Sequence, residues 1–162
     1  MMPHHHDEAY RKAMMAKAIS LAYTNTEKHQ GKPFGAIIVK DGQVIATGVN
    51  EVLSTCDPTM HAEIQAIREA SRKERTADLS GYELYASGQP CPMCLSAMYL
   101  ANIQDVYYSY GEPDAAEVGL STRYIYEQVA LPIDQRDIQL KRIDPSCSDL
   151  RPLALWRKLS EK

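Results

Sequence analysis

The chain has 162 residues, a net charge of −3 at neutral pH, 44% hydrophobic residues and 24% charged residues. This composition fits one globular domain and excludes collagen-like, coiled-coil and intrinsically disordered chains. No apolar run approaches the ~20 residues that cross a bilayer, and the acidic balance disfavours the basic surface that polynucleotides usually require. We therefore expect neither a membrane nor a nucleic acid as partner.

The N-terminal sequence lacks the apolar stretch that directs secretion, so its cysteines are expected to be free thiols or metal ligands rather than a disulfide framework. Cys56 and Cys147 stand apart from other candidate ligands and are expected to be ordinary small buried residues. We expect a cytoplasmic protein in which residues 1–162 form a single domain. Residues 1–6, which include His4–His6, are expected to be disordered.

The first predicted elements are a helix and a hairpin. Apolar side chains recur with helical spacing over residues 7–28, which predicts a helix. Two strands are predicted at 34–39 and 44–48. Asp41-Gly42 between them indicates a tight turn, because glycine tolerates the positive φ that such a turn needs.

The middle of the sequence alternates helices with strands. A helix is predicted over 59–75, with Asp57 as its N-cap and Pro58 in the first turn. A strand at 82–87 precedes a helix over 92–101, and another strand is predicted at 105–109.

The C-terminal third is predicted to be mostly helical. Asp114 with Glu117 resembles an acidic capping box, and Ser121 is a candidate cap for a helix that reaches residue 129. Residues 138–143 alternate between apolar and polar side chains and predict a fifth strand, before a terminal helix from about Leu150. The expected fold is a three-layer α/β/α architecture around a central mixed five-stranded sheet.

Two short motifs carry the chemistry. His61-Ala62-Glu63 and Pro90-Cys91-Pro92-Met93-Cys94 each lie at the predicted start of a helix that follows a β-element. The positive end of a helix lowers the pKa of nearby thiols and favours the thiolate that a metal needs. If the two helix starts converge, one nitrogen and two sulfurs leave zinc an open fourth position, which is typical of a catalytic site.

Glu63 is the predicted proton carrier of this site, because a carboxylate beside the metal can take a proton from water and pass it to a substrate. The Cys-x-x-Cys motif has two other interpretations. A lone Cys-x-x-Cys also occurs in thioredoxin-like redox proteins, but on a different strand–helix framework. A structural zinc module closes with four protein ligands, and this sequence has no second Cys-x-x-Cys.

The two motifs together match the signature of zinc-dependent nucleobase deaminases. Over nearly its whole length the sequence resembles the cytidine deaminase-like superfamily and, within it, bacterial guanine deaminases. Besides the two motifs, the shared stretches are Pro33-Phe34-Gly35-Ala36, Asp57-Pro58-Thr59, Asp114-Ala115-Ala116-Glu117 and Tyr124-Ile125-Tyr126.

The resemblance implies one zinc ion per subunit, held by His61, Cys91 and Cys94, with Glu63 as the proton shuttle. The implied substrate contacts are the Asn50 amide, the Phe34 ring and the backbone N–H of Ala62. It further implies a homodimer in which the segment 114–162 is exchanged between subunits.

The implied activity is hydrolytic deamination of a purine-like base, with guanine converted to xanthine and ammonia. Alternatives are another free base, nucleoside or amino-heterocycle (cytosine, guanosine, a pterin, a triazine) and the wobble adenosine of tRNA. A non-enzymatic zinc module is the alternative from a different class. Where guanine deaminases typically carry acidic residues, this sequence has Ser121 and Thr122.

Overall fold

A computed structural model describes residues 8–161. The chain divides into two compact units, and the boundary lies between Val129 and Ala130. The expectations for residues 1–6 lie outside the described residues. The expectation that Cys56 and Cys147 are buried is wrong, because both side chains are exposed. Across residues 8–161, none of the helices combines the length and apolar character needed to span a bilayer.

The first unit contains the sheet and most of the helices. Its elements in chain order are α1 (Glu8–Glu27), β1 (Gly35–Lys40), β2 (Gln43–Val49), α2 (Val52–Thr55), α3 (Ala62–Glu74), β3 (Glu83–Gly88), α4 (Pro92–Leu100), β4 (Asp105–Tyr110), α5 (Glu112–Glu117) and α6 (Arg123–Ala130), whose last residue begins the second unit. The second unit contains two 3₁₀ turns, Ile133–Gln135 and Pro145–Cys147, and α7 (Pro152–Ser160).

The sheet is mixed, as predicted. Its strand order is β2-β1-β3-β4. Strand β1 pairs antiparallel with both β2 and β3, whereas β3 and β4 are parallel. The parallel pair places the carboxyl ends of β3 and β4 side by side, with Gly88 opposite Tyr110.

The two faces of the sheet bury alternate residues, which produces three layers. Ile37, Val39 and Tyr85 form a core cluster with Met14 and Ala18 of α1. The intervening side chains face the other way and pack in one cluster with residues of α3 and α4, among them Ala36, Ile38, Leu84, Ala86, Ala66 and Met98.

The hairpin between β1 and β2 confirms the turn prediction. Lys40 pairs with Gln43, so the loop has two residues. Asp41 and Gly42 have φ angles of 49° and 79°, both in the left-handed region that a primed turn requires.

Helix α3 starts later than the sequence predicted. The prediction placed Asp57 at its N-cap, whereas His61 is the N-cap. Asp57 instead accepts hydrogen bonds from the backbone N–H and hydroxyl of Thr59, at 2.8 and 2.7 Å. The Asp57 carboxylate is therefore engaged in a local turn before the helix begins, and His61 takes the N-cap position.

The acidic pair after β4 also caps differently from the prediction. Helix α5 begins at Glu112, and the Asp114 carboxylate accepts from the N–H of Gly111 at 2.7 Å. Asp114 therefore lies inside the first turn and reaches back, because Pro113 already fits the start of a helix. Ser121 does accept from the N–H of Arg123, the first residue of α6, at 3.2 Å.

The prediction of a fifth strand is wrong: the sheet has four strands, and residues 138–143 form none. Their apolar members Ile138, Leu140 and Ile143 are exposed. Alternation favours a strand, but a strand also needs a neighbour that completes its backbone hydrogen bonds. Among the described residues, no strand pairs with this segment.

Candidate functional site

The two predicted motifs lie at two helix N-termini. His61 is the N-cap of α3, and Glu63 is in the first turn of the same helix. Cys91 is the N-cap of α4, with Pro92 and Cys94 in the first turn. The unpaired backbone N–H groups of both helix starts therefore create a positive field around the thiols.

Close packing of α3 against the sheet sets the position of His61 and Glu63. Gly48 of β2 lies directly under the start of this helix. A Cβ atom at residue 48 would lie 2.1 Å from the carbonyl oxygen of Ala62, so only glycine permits this approach.

Three donor atoms converge as the spacing predicted. His61 Nδ1 lies 3.5 Å from Cys91 Sγ and 3.6 Å from Cys94 Sγ, and the two sulfurs are 3.6 Å apart. With zinc–sulfur and zinc–nitrogen bonds of about 2.3 and 2.0 Å, a tetrahedral site needs separations of roughly 3.5 Å between nitrogen and sulfur and roughly 3.8 Å between the sulfurs. The donor set and its spacing therefore fit zinc.

Hydrogen bonds among Cys91, Cys94 and His61 shift the pKa values of these side chains. The hydrogen bond between the thiols lowers the pKa of Cys91 to about 4 and raises the pKa of Cys94. The hydrogen bond with Cys91 raises the pKa of the His61 imidazole. The cluster therefore already favours one thiolate, and a metal that binds here displaces the remaining protons.

Glu63 lies beside the cluster without belonging to it. Among residues 8–161, the converging donor atoms belong to His61, Cys91 and Cys94. Glu63 Oε2 lies 3.4 Å from Cys94 Sγ, and the residue is only 6% exposed. Burial raises the pKa of this carboxyl, which brings it closer to the range in which a group can both take and return a proton.

A cavity of about 710 Å³ in the first unit opens onto the cluster. Of the residues singled out in the sequence, it is lined by His61, Glu63, Cys91, Asn50 and Phe34. Ala62 and Cys94 are fully buried and are not part of the lining. The volume is in the usual range for small-molecule sites.

Asn50 follows the last residue of β2 and is 1% exposed. Its Oδ1 accepts from the backbone N–H of Val52 at 3.3 Å, and its carbonyl accepts from the side-chain amide of Asn25 at 2.9 Å. These bonds fix the backbone and the amide of Asn50 at the cavity wall.

Phe34, the residue before the start of β1, lines the cavity. A Cβ atom at residue 88 would lie 2.8 Å from the Phe34 ring, so Gly88 at the end of β3 provides the space for this ring. The aromatic face and the Asn50 amide thus belong to one wall, since the N–H of Asn50 also donates to the carbonyl of Phe34 at 3.1 Å.

Sequence reasoning missed two cavity residues. Glu112 lines the cavity and is linked to Ser121 and Arg123. Tyr126 of α6 donates its hydroxyl hydrogen to the carbonyl of Pro90 at 2.5 Å, which ties α6 to the residue before Cys91. Sequence periodicity does not show either contact, although Tyr126 lies in a stretch shared with guanine deaminases.

These features define a class of site. One nitrogen and two sulfurs, an open fourth position and a buried carboxylate at a cavity are typical of a catalytic zinc centre. Residues 9–110 match the family model described as the cytidine and deoxycytidylate deaminase zinc-binding region. The chain belongs to this family, and it is a zinc-dependent deaminase.

The relatives include guanine and tRNA deaminases. Guanine deaminase of Bacillus subtilis is 39% identical over 91% of this chain and 94% of its own length, and its crystal structure matches with a TM-score of 0.85. Guanine deaminase from Nitrosomonas europaea has a TM-score of 0.64 at 29% identity, over 68% of this chain and 64% of that one. A tRNA-specific adenosine deaminase of Aquifex aeolicus is 48% identical over 48% of this chain and 51% of its own length.

Proposed function

We propose that this protein deaminates a free purine-like base, with guanine as the leading substrate. The observation that carries the proposal is the buried His61–Cys91–Cys94 cluster, with Glu63 beside it, at the end of a cavity sized for a small molecule. The similarity to guanine deaminase of Bacillus subtilis over 91% of the chain supports this substrate class.

In the proposed reaction, guanine and water give xanthine and ammonia. Zinc, when bound, acts as a Lewis acid that makes a water molecule more acidic. Glu63 accepts one proton from the attacking water and gives it to a ring nitrogen as the carbon–oxygen bond forms. It then accepts the second proton of that water and gives it to the exocyclic amine, which leaves as ammonia when the carbon–nitrogen bond breaks. Burial of Glu63 keeps bulk water from competing for these protons.

The residues proposed to orient the base are Asn50, Phe34 and Ala62. The Asn50 amide can donate to or accept from a ring amide, and the Phe34 ring can pack on the flat face of the base. The backbone N–H of Ala62 is proposed to donate to the ring carbonyl. Of these three residues, Asn50 and Phe34 line the cavity.

The charge of the cavity favours a substrate without phosphate. Its acidic lining residues outnumber its basic ones: Glu63, Glu112, Asp114 and Glu117 against Lys32 and His61. A phosphate group near these carboxylates would be repelled. This argues for a free base rather than a nucleotide, and against the wobble adenosine of tRNA.

Ammonia release tests the substrate. We would assay the zinc-loaded protein against guanine, adenine, cytosine, guanosine, a pterin and an amino-triazine under identical conditions. Guanine is expected to react fastest. A second heterocycle that reacts much faster than guanine would contradict the assignment.

A tRNA assay tests the main alternative. An anticodon stem-loop with adenosine at the wobble position should neither bind in gel shifts at physiological salt nor form inosine. Binding with a steep salt dependence together with inosine formation would favour the tRNA function, because several phosphate contacts would then be present.

We propose further that the protein is a cytoplasmic homodimer that exchanges residues 114–162. Within the second unit, several large apolar side chains are exposed: Ile138, Leu140, Ile143, Leu150, Leu153 and Trp156. Exposed apolar surface of this extent indicates a contact with another molecule. A reducing compartment suits the two buried free thiols of the metal cluster.

A further inference from the structure

One of the other carboxylates that line the cavity follows the end of β4. Glu112 is the first residue of α5, and it lines the same cavity as Glu63 and Asn50. Its side chain is only 18% exposed. Since β3 and β4 are parallel neighbours, Glu112 follows the end of one strand while Cys91 follows the end of the next.

Neighbouring residues hold Glu112 in place. Its Oε1 accepts a hydrogen bond from the Ser121 hydroxyl, and its Oε2 lies 2.8 Å from Arg123 Nη2. The Ser121 oxygen in turn accepts from the N–H of Arg123 at 3.2 Å. The backbone N–H of Glu112 donates to Gln89 Oε1 at 3.1 Å.

These contacts keep Glu112 ionised. The hydrogen bonds from Ser121 and Arg123 hold the pKa of this carboxyl below its ordinary value. An ionised carboxylate only accepts hydrogen bonds, and its two oxygens together can accept about four. Ser121 and Arg123 use two of these positions, which leaves acceptor capacity for a donor in the cavity.

We propose that Glu112 determines specificity by accepting a hydrogen bond from the imidazole N–H of a free purine base. This inference rests on the proposed function, and it narrows the substrate class. When the amine on the six-membered ring reacts at the metal cluster, the imidazole ring is the far end of the bicyclic base. A nucleoside or N-alkylated base carries carbon at that nitrogen and cannot donate.

The decisive experiment pairs a variant with a modified substrate. We would compare Glu112→Gln with the wild type on guanine and on 9-methylguanine, and determine KM and kcat separately. Glutamine replaces the charged acceptor with a neutral amide oxygen, which weakens the hydrogen bond, so KM for guanine should rise by roughly 10-fold with kcat within about threefold. KM for 9-methylguanine should not change.

Two further variants separate recognition from folding. Arg123→Met keeps the carboxylate but removes one of its anchors, so it should raise KM for guanine in the same direction by a smaller factor. Glu127→Gln changes an exposed charge on α6 outside the cavity and should leave both KM values unchanged. Zinc content and circular dichroism verify that each variant is folded.

Calorimetric binding of both bases to the zinc-loaded protein distinguishes this inference from the proposed function. If guanine binds more tightly than 9-methylguanine, with a difference that Glu112→Gln abolishes, and yet is not deaminated, the inference stands and the proposed function fails. If guanine is deaminated while Glu112→Gln affects both bases equally, or neither, the inference fails alone. A fall in kcat for guanine at unchanged KM in Glu112→Gln also overturns the inference. If the wild type neither binds nor deaminates guanine, the inference and the proposed function both fail.

Discussion

At the scale of single residues, the proposed proton carrier is distinct from the proposed zinc donors. His61, Cys91 and Cys94 supply donor atoms 3.5–3.6 Å apart, whereas Glu63 contacts the cluster through Cys94 and is not part of it. A carboxylate that does not ligate the metal remains free to move protons. The two functions should therefore respond differently to substitution.

Glu63→Gln should retain zinc and lose nearly all turnover. Glutamine matches the shape of glutamate but cannot carry the proton, and general acid–base catalysis contributes about 10²- to 10⁴-fold. Ammonia release and metal analysis of the same sample measure both effects. Glu69→Gln on the exposed side of α3 is the control and should remain active; substantial activity in Glu63→Gln would contradict the assigned role.

Cys91→Ala should lose both zinc and activity, because two remaining donors hold the metal much more weakly than three. Cys56→Ala, at an exposed free thiol, should keep both. Chelation of the wild type should give the inactive state, and zinc should restore activity. Full activity in protein shown to be free of zinc would exclude the assigned cofactor role.

At the scale of elements, the geometry of the site depends on how closely α3 packs against β2. The helix start approaches Gly48 so closely that there is no room for a side chain. Cys91 is positioned differently, through β3 and the Tyr126–Pro90 hydrogen bond of 2.5 Å. Different contacts therefore position His61 and Cys91.

Gly48→Ala tests whether the packing of α3 on β2 positions His61. The added methyl group would lie 2.1 Å from the Ala62 carbonyl, so α3 must shift and move His61 with it. Overpacking of this kind costs about 1–3 kcal/mol, which corresponds to a fall in Tm of roughly 3–10 °C, and zinc affinity should fall as well. Thr47→Ala, at the exposed neighbouring position, should change little. Unchanged zinc affinity in Gly48→Ala would show that the helix start is not held at this point.

At the scale of the whole molecule, the proposed dimer would bring residues of two chains to each cavity. Exchange of residues 114–162 would bury the exposed apolar side chains of the second unit in a partner. It would also place Ser121, Thr122 and Tyr126, which line the cavity, on the exchanged segment.

Light scattering of active protein should give twice the 18.2 kDa chain mass. Removal of residues after Val129 should reduce the mass to that of one shortened chain and lower the activity, because most of the exchanged segment is then missing. A mass of one chain in fully active protein would exclude the exchanged dimer.

The sequence by itself determined the motifs and most of the local structure. Strand and helix periods, the Asp41-Gly42 turn and the placement of His61 and Cys91 at helix starts all depend on residues close in the chain. The same local patterns misplaced the start of α3, because the turn at Asp57 competes with the helix for the same carboxylate.

Only the tertiary structure decided which distant groups meet. Residues 138–143 have the pattern of a strand but pair with no described strand, since pairing requires a partner that local alternation does not encode. Glu112 acquires its place through Ser121 and Arg123, nine and eleven residues away, and through Gln89 at the end of another strand. Chain topology brings these side chains to one cavity because the parallel strands β3 and β4 end side by side. The spacing of residues in the sequence does not indicate this proximity.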